Sequence, residues 1–265
     1  MKKWIPPKCM NMLYRRARSI QRGEDARRLA CELGLEAVPR GDLELIQTLL
    51  SVRSIMRARP SVLVDVGAHR GDFSKYAAKI FAFRRVECFE ADHDLIGPLR
   101  HSLYGLNAVV HQVAISNRNG NGGFYVHESR GMSSLLAVDL GVLASKFPAD
   151  NGSRILYREV PLATLDSFCA ADDELRTDRF FLKVDTQGNE MDVLEGARET
   201  LQRTDGCLIE YMFCTPYKTS HTFEQLVQFM SASDFYCSGA VEIKRRPNGE
   251  VSGVDFLFLR KAQPE

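Results

Sequence analysis

At 265 residues the chain has room for one α/β domain with an appendage, and its 45% hydrophobic and 26% charged shares are those of a folded globular protein rather than a disordered one. The formal net charge of +1 argues against a general nucleic-acid binder. The seven cysteines (Cys9, Cys31, Cys88, Cys169, Cys207, Cys214 and Cys237) are odd in number and lack C-x-x-C spacing, so reduced thiols in a cytoplasm fit better than a disulfide framework or a zinc site.

No apolar run approaches the ~18 residues of a membrane-crossing helix, and Pro6, Pro7, Lys8 and Asn11 interrupt any signal-peptide core. Met1 to Ala30 is basic, with Lys2, Lys3, Lys8, Arg15, Arg16, Arg18, Arg22, Arg27 and Arg28 against Glu24 and Asp25. Such a run suits an acidic surface or anionic lipid, and equally a solvated helix face. Met1 to Arg59 reads as mostly helical, with an apolar stripe of Leu43, Ile46, Leu49, Leu50, Ile55 and Met56. It is expected to pack on the following domain or over its mouth. Pro60 marks the boundary, leaving 1–59 as an N-terminal extension and 60–265 as the main domain.

The stretch Ser61 to Ser74 organises the main domain. Val62 to Val66 is the apolar, β-branched run of a doubly covered strand. Gly67 and Gly71 allow a sharp turn, and Phe73, Tyr76, Ala77 and Ile80 then recur at helical spacing from Asp72 to about Phe83. The glycines read D-x-G-x-x-x-G, not the G-x-G-x-x-G of a dinucleotide fold. The acid before the turn, Asp65, suits a ligand with a cationic amino group better than one with phosphates. S-adenosylmethionine is such a ligand. The plainer reading is a glycine turn that only packs a helix on a strand.

Arg85 to Glu90 reads as the second strand, with Glu90 where a carboxylate accepts from ribose hydroxyls, unless it is merely solvated. Asp92 is a candidate cap for a helix reaching Leu103. Ala108 to Ala114 is the third strand, and Ile115 and Ser116 follow at the edge where an adenine would lie. After an Asn- and Gly-rich turn from Asn117 to Gly123, Gly123 to Glu128 and Leu156 to Leu162 read as extended. Arg130 to Leu135 between them is read as a loop over the site.

Arg179 to Val184 is a buried strand ending at Asp185, and Gly188 turns into a helix from Glu190 to Leu201. Lys183 inside an apolar strand is costly unless paired. Lys183, Asp185 and Glu190 therefore converge at a strand's carboxyl end, where open α/β sheets bind ligands. A structural ion pair is the bland alternative. Gly206 to Tyr211 is the fifth strand and carries Glu210 near its end. If it lies beside Asp185, the two carboxylates suit a divalent cation or supply a general base. Thr222 to Met230 is an amphipathic helix. Asp234 to Ala240 and Val254 to Leu259 are the last strands, joined at Pro247-Asn248-Gly249, and place one antiparallel strand in the sheet.

Together these stretches resemble the FkbM-type family of S-adenosylmethionine-dependent methyltransferases, over Ser61 to Leu259. The residues that carry the resemblance are Val64 to Gly71, Phe89-Glu90, Val113 to Ser116, Val160 to Phe168, Leu182 to Glu190 and Val193 to Ala197. It implies a doubly wound, mostly parallel seven-stranded α/β sheet of the Rossmann-like methyltransferase kind, with methyl transfer to an oxygen. The acceptor it implies is a small molecule or glycan, often through a hydroxyl of a sugar or natural product. His69 stands where Asn is usual. The expected cofactor contacts are Asp65, Gly67, Ala68, His69, Gly71, Phe73, Glu90, Ala91, Ala114, Ile115 and Asp185. Asp185 is the first choice of base, then Glu210 and His221, with Lys183 beside them. Metal use and homo-oligomerisation stay open. The rival readings are a nicotinamide-dependent oxidoreductase, which should show G-x-G-x-x-G, and a non-catalytic binding protein acting through the basic N-terminus. Methylation of an acidic polymer docked by that segment is a third, marked by steep salt dependence.

Overall fold

The computed structural model describes residues 42–146, 152–218, 221–246 and 248–262. The basic run from Met1 to Ala30 and Cys9 and Cys31 lie outside them. In chain order the first half comprises α1 (Asp42–Ile55), β1 (Val62–Val66), α2 (Asp72–Phe81), β2 (Arg85–Phe89), α3 (His93–Ser102), β3 (Ala108–His111), β4 (Ala114–Ile115), β5 (Gly120–His127) and α4 (Leu140–Lys146). The second half comprises β6 (Ile155–Ala163), α5 (Leu165–Ala170), β7 (Phe180–Val184), α6 (Glu190–Glu195), α7 (Arg198–Gln202), β8 (Thr204–Met212), α8 (Phe223–Ala232), β9 (Phe235–Arg245) and β10 (Val251–Arg260).

Seven strands form one sheet in the order β3-β2-β1-β7-β8-β10-β9. Its neighbours are parallel except at β10, which runs antiparallel to both β8 and β9, so the terminal hairpin places one reversed strand as expected. β1 and β7 are buried along their whole length, which explains their near-continuous apolar sequence. Side chains alternate across each strand. Val62, Val64 and Val66 face a core layer with Leu165, Val193, Leu226 and Met230, whereas Leu63 faces the opposite layer with Ile46, Leu49, Tyr76 and Ile80. Each such fully buried aliphatic side chain contributes roughly 1.5–3 kcal/mol. α1 thus belongs to the packed body, although Ile55, expected in its apolar stripe, is 40% exposed.

Two expected elements are divided. The strand expected from Ala108 to Ala114 breaks after His111, and Ala114–Ile115 instead pairs with β6 in a separate three-stranded sheet of order β4-β6-β5. That small sheet also takes in the two extended segments, which pair antiparallel as β5 and β6. The helix expected from Glu190 to Leu201 is cut at Gly196, where a Cβ would sit 2.1 Å from the Ser116 carbonyl oxygen. The chain restarts as α7 because Asp166 accepts from the backbone N–H groups of Glu199 and Thr200 at 3.0 and 2.8 Å. Thr164 caps α5 in the same manner.

The order of strands reverses direction between β1 and β7: the chain leaves β1 towards β2 and leaves β7 towards β8. A crevice opens at such a switch point, outside the carboxyl ends of the strands.

Candidate active site

At that crevice the exits of β1 and β7 cross in contact. Gly67 has φ +78°, and a Cβ there would lie 1.9 Å from the Asp185 carbonyl oxygen, so no other residue fits. The turn is tied to β2, since the N–H groups of Gly67 and Ala68 both donate to the Phe89 carbonyl at 3.0 Å. His69 follows at φ +50°, a region that Asn, Asp and His enter more readily than other side chains, so a His fits where Asn is usual.

A cavity of about 430 Å³ occupies the crevice. It takes in Gly67, Ala68, His69, Phe73, Glu90, Ala91, Ala114, Ile115, Lys183, Asp185 and Glu210, most of the residues singled out from sequence. Its walls towards β2 and β4 are largely apolar, from Phe89, Ala91, Ala114, Ile115 and Phe124. Glu90 is the buried acid on that side. Its two oxygens accept from the N–H groups of His69 and Asp92, both at 2.8 Å. Burial pushes its carboxyl above the usual range although those two backbone bonds pull it back. Each oxygen keeps a lone pair for a further donor. His69 Nε2 is buried with no hydrogen-bond partner among the described residues, and burial holds the ring below the ordinary histidine value.

Three expected contacts lie elsewhere. Asp65 is fully buried and turned to the α2 side of β1, where its carboxylate accepts from Ser74 Oγ at 2.6 Å and pairs with Lys183 at 3.1 Å. In this arrangement it steadies the site from beneath, through Ser74 and Lys183. Gly71 stands at the start of α2 against Leu99 and Leu103, away from the cavity. His221 is half-buried outside the cavity, with its ring 5.7 Å from that of Tyr211.

Lys183 resolves the cost of its own burial. Its ammonium donates to the Gly67 carbonyl at 2.8 Å and faces Asp65 at 3.1 Å and Asp185 at 3.5 Å. Burial lowers its proton affinity, but those two carboxylates outweigh it and keep the ammonium charged. It therefore fastens β1 to β7 and takes up no proton. Glu190 likewise serves its own turn, accepting from the N–H groups of Thr186 and Gly188 at 3.0 Å each. Above the crevice, the expected loop covers the cavity with Arg130, Gly131, Ser133 and Leu135. Arg130 anchors it to Asp92 and Asp94 at the start of α3, where Arg158 of β6 pairs with the same two acids.

The wall towards β8, β10 and β9 is charged. Asp185 and Glu210 are neighbours there, as the pairing of β7 with β8 requires. Gln187 Nε2 donates to Asp185 Oδ1 at 2.9 Å and to Glu210 Oε2 at 2.7 Å. Lys244 is paired with Glu210 Oε1 and lies 3.6 Å from Asp255. Burial raises Asp185, yet Lys183 and Lys244 outweigh it and hold that carboxyl below the usual range. Burial and the charge of Asp185 push Glu210 the other way, well above it. Burial also pushes Asp255 up to about 6. Glu210, Asp255 and Glu242 stand abreast on three adjacent strands. Among the described residues no group of three His, Cys, Asp or Glu side chains is placed to hold a metal ion. The cation beside Glu210 is Lys244 itself.

Gln187, Glu242, Lys244 and Asp255 were not singled out from sequence. For Glu242, Lys244 and Asp255 the available signal was ionisable side chains inside hairpin strands, above all Asp255 between Val254 and Phe256.

The methyltransferase FkbM domain family matches residues 65–237. The chain belongs to the FkbM methyltransferase family. The FkbM match stops inside β9, so Glu242, Lys244 and Asp255 lie beyond it. Among curated proteins the chain is similar to 2-O-methyltransferase NoeI of Sinorhizobium fredii (strain NBRC 101917 / NGR234), 27% identical over 165 residues, with 60% of this chain and 66% of that protein covered. The chain thus spans just under two thirds of that relative's length. Among solved structures it is similar to Streptococcus pneumoniae Sp1610, a putative tRNA (m1A22) methyltransferase in complex with S-adenosyl-L-methionine, at a TM-score of 0.45 and 10% identity over 83% of this chain and 74% of that one. It is also similar to precorrin-6y C5,15-methyltransferase from Geobacter metallireducens GS-15, at a TM-score of 0.40 and 13% identity over 86% and 92%. Among the described residues no helix is long and apolar enough to cross a membrane.

Proposed function

We propose that this FkbM-family protein is an S-adenosylmethionine-dependent O-methyltransferase acting on a hydroxyl of a sugar, glycan or natural product. The observation that carries the reading is the cavity at the β1/β7 switch point, which joins a buried acid suited to ribose hydroxyls, Glu90, to a carboxylate pair of half-buried Asp185 and buried Glu210. The residues fit the cofactor. Glu90 keeps free lone pairs for ribose hydroxyls, the apolar wall by Ala114 and Ile115 suits an adenine, and His69 Nε2 waits without a partner. The turn reads D-x-G-x-x-x-G and not G-x-G-x-x-G, which weighs against a nicotinamide dinucleotide. The 2-O-methyltransferase similarity supports oxygen as the methylated atom.

When bound, S-adenosylmethionine supplies an electrophilic methyl group. The protein's own work is to hold the acceptor in line, which accounts for most of the barrier lowering in such transfers, and to receive the hydroxyl proton. Glu210 is better suited to that proton than Asp185, the first choice from sequence. Lys183 and Lys244 keep Asp185 a weak base, whereas burial and the charge of Asp185 raise Glu210 well above the ordinary carboxylate value, which makes it the stronger proton acceptor of the two. Asp185 then acts as the fixed negative charge beside it.

The test is calorimetric titration with S-adenosylmethionine, S-adenosylhomocysteine and NAD, with and without magnesium. Micromolar binding of the first two, weakened in Glu90→Ala, is the expected result. Preference for NAD, or no binding of either sulfur ligand, overturns the reading.

A further inference from the structure

Two independent features meet at Gln187. Its backbone lies at φ +58°, a conformation Gln seldom adopts, and the surroundings hold it there. Its carbonyl accepts from Ser134 Oγ at 2.8 Å. The residues on either side, Thr186 and Gly188, are both tied to Glu190. Backbone strain maintained by its neighbours in this way is characteristic of functional sites. The second feature is the side chain, which enters the cavity and spends both amide hydrogens on carboxylates, one on Asp185 and one on Glu210.

We propose that Gln187 is a positioning residue for the acceptor: its amide, bridging Asp185 and Glu210, holds the two carboxylates as a matched pair at the place where a hydroxyl gives up its proton. The inference deepens the methyl-transfer reading and rests on it for what the pair does, though not for the bridge itself. Two carboxylates brought together at a partly desolvated site without a donor between them share a proton, because like charges cannot both stay ionised at close range. The amide supplies each with its own N–H. Asp185 and Glu210 remain in hydrogen-bond contact with each other, with Glu210 raised and Asp185 lowered, so the amide's part is to fix which of the two carries the proton. The other charged or titratable groups facing the pair are Lys183 of β7, Asp65 of β1, His69 of the turn after β1, Lys244 and Glu242 of β9, Asp255 of β10 and Glu190 of α6. These stay in place when Gln187 alone is changed.

Gln187→Asn tests this cleanly. Asn enters the left-handed region more readily than Gln, so the turn is relieved, while the side chain, shorter by one methylene, cannot span both carboxylates. The measurement is a carboxyl-¹³C NMR titration of the full chain, with the two signals assigned through Asp185→Asn and Glu210→Gln. The expected result is a Glu210 midpoint higher by about one pH unit, which is about tenfold in proton affinity. In a methyl-transfer assay the acid limb of the rate profile should move the same way. An unmoved midpoint overturns the proposal. Should the Asn variant not fold, Gln187→Gly, which also tolerates the backbone angle, is read identically. Titrating the same samples with S-adenosylhomocysteine separates the two failures. No binding by the unmodified protein sinks the methyl-transfer reading and leaves the bridge result standing, whereas binding with an unmoved midpoint sinks only the role of Gln187.

Discussion

The two walls of the cavity are built on different principles. Towards β2 and β4 the recognition elements are a backbone turn, one buried acid and apolar side chains, nearly all from the first half of the chain. Towards β8, β10 and β9 they are paired charges, drawn from residues 183 to 255 and brought together only by strand order. The first wall gains its precision from local sequence, since Gly67 and Glu90 are placed by the strands they terminate. The second depends on long-range pairing, and its members constrain one another electrostatically. A substitution in the first wall should therefore act through shape or binding, and one in the second through proton affinity and rate.

The largest effect should come from Gly67→Ala. With a Cβ 1.9 Å from the Asp185 carbonyl oxygen, the β1 and β7 exits must part. A destabilisation of about 4 kcal/mol is expected, with loss of cofactor binding, measurable by denaturant unfolding and calorimetry. A variant with unchanged stability would mean the two walls are not locked at this crossing. Next is Glu210→Gln. Methyl transfer should fall by ~10²–10⁴ with S-adenosylhomocysteine affinity retained, whereas equal losses in both would erase the division between the walls. Glu90→Ala should do the reverse, weakening S-adenosylhomocysteine by roughly 10- to 100-fold, the scale of one or two lost hydrogen bonds, while turnover at saturating cofactor changes less.

The smallest effect concerns Asp255. Its folded value of about 6 lies above the ordinary carboxylate value. The native state therefore binds its proton more tightly than the unfolded chain, and the protein loses stability as pH rises from about 4 to about 6. Asp255→Asn removes that loss. It should stabilise the fold by about 1–2 kcal/mol at pH 8 and by almost nothing near pH 4, in paired denaturant titrations. A pH-independent difference would place the effect in packing.

Much of the fold was legible in the sequence because its signals are local. The apolar run Val62–Val66, the Asp92 cap and the amphipathic helix after Thr222 sit where spacing and side-chain chemistry put them. The misplacements arose where a contact distant in sequence overrides local pattern. Helical periodicity runs on through Gly196, but the close approach of Ser116 ends the helix there. The β-branched run after Ala108 looks continuous, yet its last residues are claimed by β6. The site divides similarly. Gly67, Glu90 and Asp185 are legible as strand-end residues. The true surroundings of Asp65, buried with Lys183 and Ser74, depend on which face of β1 it occupies. Lys244 and Asp255 needed the register of a hairpin that runs past the end of the family match.

That register carries a consequence for how the chain folds. Asp255 sits on one face of β10, and its neighbours Phe256 and Phe258 pack on the other, with Phe235 and Met230. Because faces alternate residue by residue, a slip of one position in the β8–β10–β9 pairing would drive an unpaired carboxylate into that aromatic layer and expose phenylalanine to the cavity. The hairpin has no comparably favourable second alignment. The charges that line this wall of the cavity thus also hold the hairpin to one register.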